Sequence, residues 1–191
     1  MPSTNPGHTL LPIARGAITR ALGRNHGASE TAPWLLEPGA CFVTLTQQGE
    51  LRGCIGSLQA HRPLLTDVMA NATAAAFRDP RFSPLAAREL EYTEIEVSLL
   101  SAMQPLTFAS EADALAQLQP GIDGVVFEFG ARRSTFLPQV WEQLPDTQEF
   151  MARLKHKAGL PASFWDAQVR LQRYTVRKWK ESDLGSERRA A

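Results

Sequence analysis

Apolar and polar positions along the chain change period several times, and each change marks an element. Between about His8 and Arg24, Leu11, Ala14, Ala17, Ile18, Ala21 and Leu22 recur at helical spacing. The polar stretch "GRNHGASETAP" then predicts a loop. "CFVTLT" (41–46) is β-branched and aromatic; with the turn "QQGE" and "LRGCIGSL" after it, it predicts a hairpin. Pro63 suits the first turn of a second helix, whose apolar side is Leu64, Leu65, Val68, Met69, Ala72, Ala75 and Ala76. So much alanine on one side lets that helix lie close to a sheet. "RDPRFSPL" ends it, because a residue before proline disfavours helical geometry.

"YTEIEVSLLSAM" (92–103) sets Ile95, Val97 and Leu99 against Glu94, Glu96 and Ser98, the alternation of a half-buried strand. A short helix follows at 111–118, then a second hairpin, Val125–Phe129 and Ser134–Leu137, turning through "GARR". "TQEFMARLKHKAGL" predicts a helix stopped by Gly159, and "VRLQRYTVRKW" one last strand. Hairpins rather than regular βα alternation favour an α+β fold with largely antiparallel sheet. Residues 1–7 and 182–191 read as flexible tails around a single domain over 8–181.

Charge and composition narrow the function classes. Twenty basic and 20 acidic side chains cancel, so no bulk field recruits nucleic acid or anionic membrane. No apolar run approaches the ~20 residues of a membrane span. The amino end lacks a signal-peptide layout, and Cys41 and Cys54 are the only cysteines, which fits a reducing cytoplasm.

Chemistry concentrates in the first hairpin. Side chains alternate across a strand, so Arg52, Cys54 and Gly56 are expected on one face, with Leu51, Gly53 and Ile55 on the other. A four-residue "QQGE" loop would set Val43 opposite Cys54 and leave Cys41 diagonal to it, ~7–8 Å away and beyond disulfide range. Arg52 would stand ~6.8 Å along the strand from Cys54, within reach to favour the thiolate, while bare glycine flanks leave the sulfur unshielded. A buried cysteine acting as a small hydrophobe fits the same pattern.

His61 stands seven residues after Cys54 in a turn; His8, His26 and His156 fall in tail, loop and polar helix face. No cysteine or histidine pair has zinc-ligand spacing, so neither a metal nor another cofactor is expected. Glu96, with Glu94 beside it, is a weak acid–base candidate on a face that solvent alone would explain. Asp79, Arg81 and Phe82 in "DPRF" read as architecture closing a helix.

"GACFVTLTQQGELRGCIGSLQAHRPL", "AAAFRDPRFSPL", "ELEYTEIEVSLLS", "DGVVFEFGARRSTFLPQVW" and "LKHKAGLP" together resemble the AMMECR domain family, in order over roughly residues 8–180. Within that family the chain looks most like system protein A of the AmmeMemoRadiSam set; the hexapeptide "LRGCIG", Leu51–Gly56, is present unchanged. The resemblance implies two interlocked α+β lobes in one domain with the hexapeptide lining a cleft, and a site at Arg52, Gly53, Cys54 and Gly56. It also implies work alongside a Memo-like protein and a radical SAM protein, with no reaction securely attached. Two functions fit: an enzyme or enzyme component using the Cys54 thiolate on a small substrate, with Arg52 and Glu96 in support, or a non-catalytic adaptor whose cleft binds a partner peptide or metabolite.

Overall fold

The computed structural model describes residues 5–24, 27 and 31–187, the last three by backbone alone. His26 and the outermost residues of both expected tails lie outside these. The fold is α+β, with two four-stranded sheets in the orders β2-β1-β3-β8 and β4-β7-β5-β6. The strands are β1 (Cys41–Gln47), β2 (Glu50–Gly56), β3 (Thr93–Leu100), β4 (Gln104–Pro105), β5 (Gly124–Phe129), β6 (Arg132–Phe136), β7 (Arg170–Tyr174) and β8 (Val176–Lys180). The helices are α1 (Gly7–Ala21), α2 (Leu64–Phe77), α3 (Glu111–Gln117), α4 (Thr147–Lys157) and α5 (Glu181–Glu187). Contacts divide the chain into two compact units, one running to Leu100 and resuming at Arg177, the other covering Ser101–Val176.

In the first unit the periodic residues of α1 and α2 meet one face of the β2-β1-β3-β8 sheet. Leu10, Ile13 and Ile18 of α1, Val68, Ala72 and Ala75 of α2, and Val43, Leu45, Ile95 and Val97 of β1 and β3 form one buried cluster. The alanine side of α2 permits a very close approach: a Cβ on Gly53 would sit 2.2 Å from the Ala75 carbonyl oxygen. Helix α1 starts at Gly7, inside the expected tail, where the Gly7 N–H bonds Asn5 Oδ1 and the missing Cβ leaves room for Trp179. At the other end, the segment from 182 begins as the helix α5. Glu181 anchors it through a two-pronged ion pair with Arg15, and the Ser182 N–H bonds Glu94 at 3.2 Å.

Asp67 ties the open end of the first hairpin, the start of β1 and the end of β2, to α2. Its fully buried carboxylate accepts from the Cys41 N–H (2.9 Å), the Ser57 hydroxyl (2.6 Å), Arg62 Nε (2.8 Å) and Asn71 Nδ2 (2.9 Å). A buried charge is tolerated when its lone pairs are filled this way.

In the second unit, Val125, Phe127 and Leu171 of the sheet pack with Phe150, Met151 and Leu154 of α4, and Trp141 stacks on Phe150 at 3.6 Å. Lys155, almost wholly buried, is neutralised by Glu111 at 2.7 Å and donates to the Phe164 carbonyl at 3.0 Å. The single strand expected over 169–179 is two strands, β7 and β8, in different sheets. The break falls at Thr175, whose carbonyl and N–H bond Ser101 rather than a sheet neighbour.

Candidate functional site

The hexapeptide occupies β2, an edge strand. The hairpin turns through Gln48 and Gly49 alone, both at positive φ (53° and 86°), so the expected four-residue loop is a two-residue type I′ turn closed by the pair Gln47↔Glu50. Thr46 faces Leu51 as expected, but a bulge follows: Leu45 pairs with Gly53, which leaves Arg52 as the extra residue. The register beyond it moves by one. Cys54 faces Thr44 rather than Val43, and Gly56 faces Phe42 rather than Cys41.

That shift puts the cysteines on opposite faces of the sheet. Cys41 points with Val43 and Leu45 into the core and is wholly buried; Cys54 lies on the polar face and is half-buried. Desolvation pushes the Cys41 thiol far above its ordinary range, and the Asp67 charge adds to the effect.

The polar face carries a row that the sequence did not reveal. Thr44 pairs with Cys54 on one side and with Glu96 on the other. The Thr44 hydroxyl donates to Cys54 Sγ at 3.3 Å. Glu96 accepts from Ser98 Oγ at 3.4 Å and stands 3.7 Å from Lys180 Nζ. Two strand spacings separate Glu96 from Cys54, roughly 9–10 Å, too far for direct proton exchange.

The cation beside Cys54 is Arg81, not Arg52. Asp79, buried just past the end of α2, accepts the Cys54 N–H at 2.9 Å and is gripped by Arg81 Nη2 at 2.7 Å and Nε at 3.0 Å. Arg81 Nη2 also donates to the Cys54 carbonyl at 3.4 Å. The Arg81 hydrogen bonds hold the Asp79 carboxyl far below the usual carboxylate range, with the Cys54 N–H contributing. "DPRF", read as a helix terminator, is thus the clamp on the hexapeptide.

Arg52 is committed elsewhere. Its Nε donates to Glu89 Oε1 at 3.2 Å, and its Nη2 donates to the Ser83 carbonyl at 2.9 Å and to Glu89 Oε2 at 3.3 Å. The Ala86 N–H and then Arg52 hold the Glu89 carboxyl down to about 2. Arg52 Nη1 is buried without any acceptor. An unsatisfied buried donor costs about 1–3 kcal/mol, which makes it unusual in a folded protein. The guanidinium carbons of Arg52 and Arg81 stand 5.9 and 5.5 Å from the Phe82 ring centre. Arg52, Arg81, Phe82, Arg88, Glu89 and Tyr92 line a pocket of about 410 Å³.

The glycines expected to bare the sulfur are crowded instead. Gly53 touches α2, and a Cβ on Gly56 would lie 2.2 Å from the Phe42 ring and 2.7 Å from the Cys41 carbonyl. Their smallness serves close packing of the strand that carries Cys54. His61, bonded to the Gln59 carbonyl, is exposed in its turn. Among the described residues no helix is long and apolar enough to cross a membrane.

Known proteins share this architecture. A solved structure, the uncharacterized protein PH0010 from Pyrococcus horikoshii, superposes with a TM-score of 0.75 at 32% identity, covering 92% of this chain and 91% of its own. A protein of Methanothermobacter thermautotrophicus is 36% identical over 184 residues, 94% of this chain and 96% of its own length. Protein MJ0810 of Methanocaldococcus jannaschii is 34% identical over 92% of this chain and 90% of its own. The AMMECR1 family model matches residues 11–179, and the chain belongs to the AMMECR1 family.

Proposed function

We propose that this AMMECR1 protein is an enzyme component that acts on a small substrate through the Cys54 thiolate. It would work as protein A of an AmmeMemoRadiSam set, alongside Memo-like and radical SAM proteins. The observation that carries the reading is the contrast between the two cysteines. Cys54 is half-buried on a polar face, receives the Thr44 hydroxyl on its sulfur and lies beside the Arg81 guanidinium. A hydroxyl on the sulfur and a cation at the same residue's carbonyl give Cys54 the polar, partly open setting in which a nucleophilic cysteine works. Cys41 also receives a donor, Asn71 Nδ2 at 3.7 Å, but it is sealed in the core beside the Asp67 charge. Arg52 acts here as a positioning residue that anchors β2 to Glu89, and Glu96 only shapes the charge of the face.

Alkylation by iodoacetamide, followed for each cysteine against pH by peptide mass spectrometry, tests the reading. Cys54 in the folded protein reacts at least tenfold faster than Cys41 at neutral pH, and intact mass after purification from the native host reveals any adduct on Cys54. Equal rates would remove the basis for thiol chemistry. Full complementation of a deletion host by Cys54→Ala would favour the adaptor.

A further inference from the structure

The pocket lined by Arg52 and Arg81 holds more hydrogen-bond donors than the protein's own acceptors use. Three of its lining residues are arginines. Arg81 is matched by Asp79 and Arg52 by Glu89, so three positive and two negative charges leave one in excess. The excess sits on Arg88, which is exposed and has no ion-pair partner among the described residues. Arg52 adds an independent sign: its Nη1 is buried with nothing to donate to, on a side chain only 13% exposed. Guanidinium groups pair with carboxylate and phosphate oxygens through two donors at once, which a point charge such as lysine cannot do. The Ser83 carbonyl is met by Arg52 Nη2 and not by Nη1.

We infer that this pocket receives the oxyanion of a small ligand, a phosphate monoester or a carboxylate, between Arg52 and Arg88. In the bound state the pocket opens far enough for an oxygen of the anion to reach Arg52 Nη1, which is shielded from solvent without ligand, and Arg88 closes over it. Phe82, flanked by the Arg52 and Arg81 guanidinium groups, keeps both planes in place. Tyr92, 55% exposed, offers an aromatic face for the remainder of the ligand. Arg81 lines the pocket and also donates to the Cys54 carbonyl, which ties the pocket to the strand that carries the thiol. The inference deepens the thiol reading by naming the substrate class, and it rests on that reading for its catalytic meaning alone.

The test is a titration of arginine-labelled full chain, following the Nε–Hε NMR signals of Arg52, Arg81, Arg88 and, as a control that does not line the pocket, Arg153. The probes are inorganic phosphate, acetate and chloride at matched ionic strength. Phosphate or acetate moves the three pocket signals saturably, with a Kd of about 1–10 mM, and leaves Arg153 in place. Whichever of the two saturates identifies the source of the oxyanion. Arg88→Ala, a surface change that leaves the fold alone, raises the Kd at least fivefold, and Arg52→Lys removes saturation because a lysine cannot keep Glu89 and bind the anion. Cys54→Ala binds like the parent. Movement that is linear and equal for chloride, or an unchanged Kd in Arg88→Ala, overturns the inference. Saturable binding together with equal alkylation of the two cysteines would sink the thiol reading and leave the anion pocket standing.

Discussion

Replacing Gly53 by alanine tests how tightly the hexapeptide strand is held. The added Cβ would lie 2.2 Å from the Ala75 carbonyl oxygen and 3.1 Å from its carbon. Ordinary contact starts near 3.4 Å, so strand and helix must part by about 1.2 Å. Neither side gives easily, because both are backbone and α2 is buried through Val68, Ala72 and Ala75. Overpacking costs about 1–3 kcal/mol, and an obstacle with no rotamer to change puts this case at about 2–3 kcal/mol. For a chain of this length about 2–4 °C is lost per kcal/mol, so the melting temperature should fall by about 5–10 °C. Gly49→Ala is the control: it has open space around it and fails only through its φ of 86°. That conformational penalty is about 1 kcal/mol, or about 2–4 °C. Thermal melts of parent and both variants at neutral pH give the ranking. A Gly53→Ala protein that melts at or above Gly49→Ala would refute the close-packing account, and the glycine would then have to be explained by what reaches Cys54.

Four further outcomes follow from the contacts. Glu89→Gln should flatten the acid side of the stability curve: the Glu89 carboxyl lies at about 2 against an ordinary 4.5, so its contribution is complete above about pH 4.5 and fades toward pH 2. For that partly exposed pair the loss at neutral pH is about 1 kcal/mol, read by urea denaturation at several pH values. Cys54→Ala should melt within a few degrees of the parent, since a half-buried side chain leaves little cavity. Mild oxidation should give no Cys41–Cys54 link in a non-reducing peptide map, because the thiols face opposite sides of the sheet. In the second unit, Glu111→Leu strands the buried Lys155 charge and should cost about 3 kcal/mol, whereas Lys155→Met leaves a carboxylate within reach of water and should cost clearly less; equal losses would contradict this.

Much of this architecture was legible in the sequence. The alternation of Ile95, Val97 and Leu99 against Glu94, Glu96 and Ser98 gave β3 its faces, and the alanines of α2 announced the close approach now seen at Gly53. The geometry around Cys54 was much less legible. A bulge at Arg52 has no signature in "LRGCIG", and one extra residue was enough to exchange Val43 for Thr44 opposite Cys54. Arg81 and Asp79 lie 27 and 25 residues from Cys54, so their clamp is a tertiary fact that no local period encodes. The division of 169–179 between two sheets was hidden for a similar reason: Thr175 suits a strand by propensity, and only its bonds to Ser101 take it out of one.

The Asp79–Arg81 clamp also bears on how the protein meets other chains. An edge strand offers unpaired N–H and C=O groups as a template on which a foreign strand can add. At Cys54 both groups are spoken for, the N–H by a carboxylate and the C=O by a guanidinium. Cys54 and Thr44 therefore form a pair whose backbone bonds point away from each other, the kind that brings facing side chains closest. The outer margin of β2 is sealed at its middle by side chains standing where a neighbouring strand would run. A foreign strand cannot extend this sheet through Cys54 while the clamp holds.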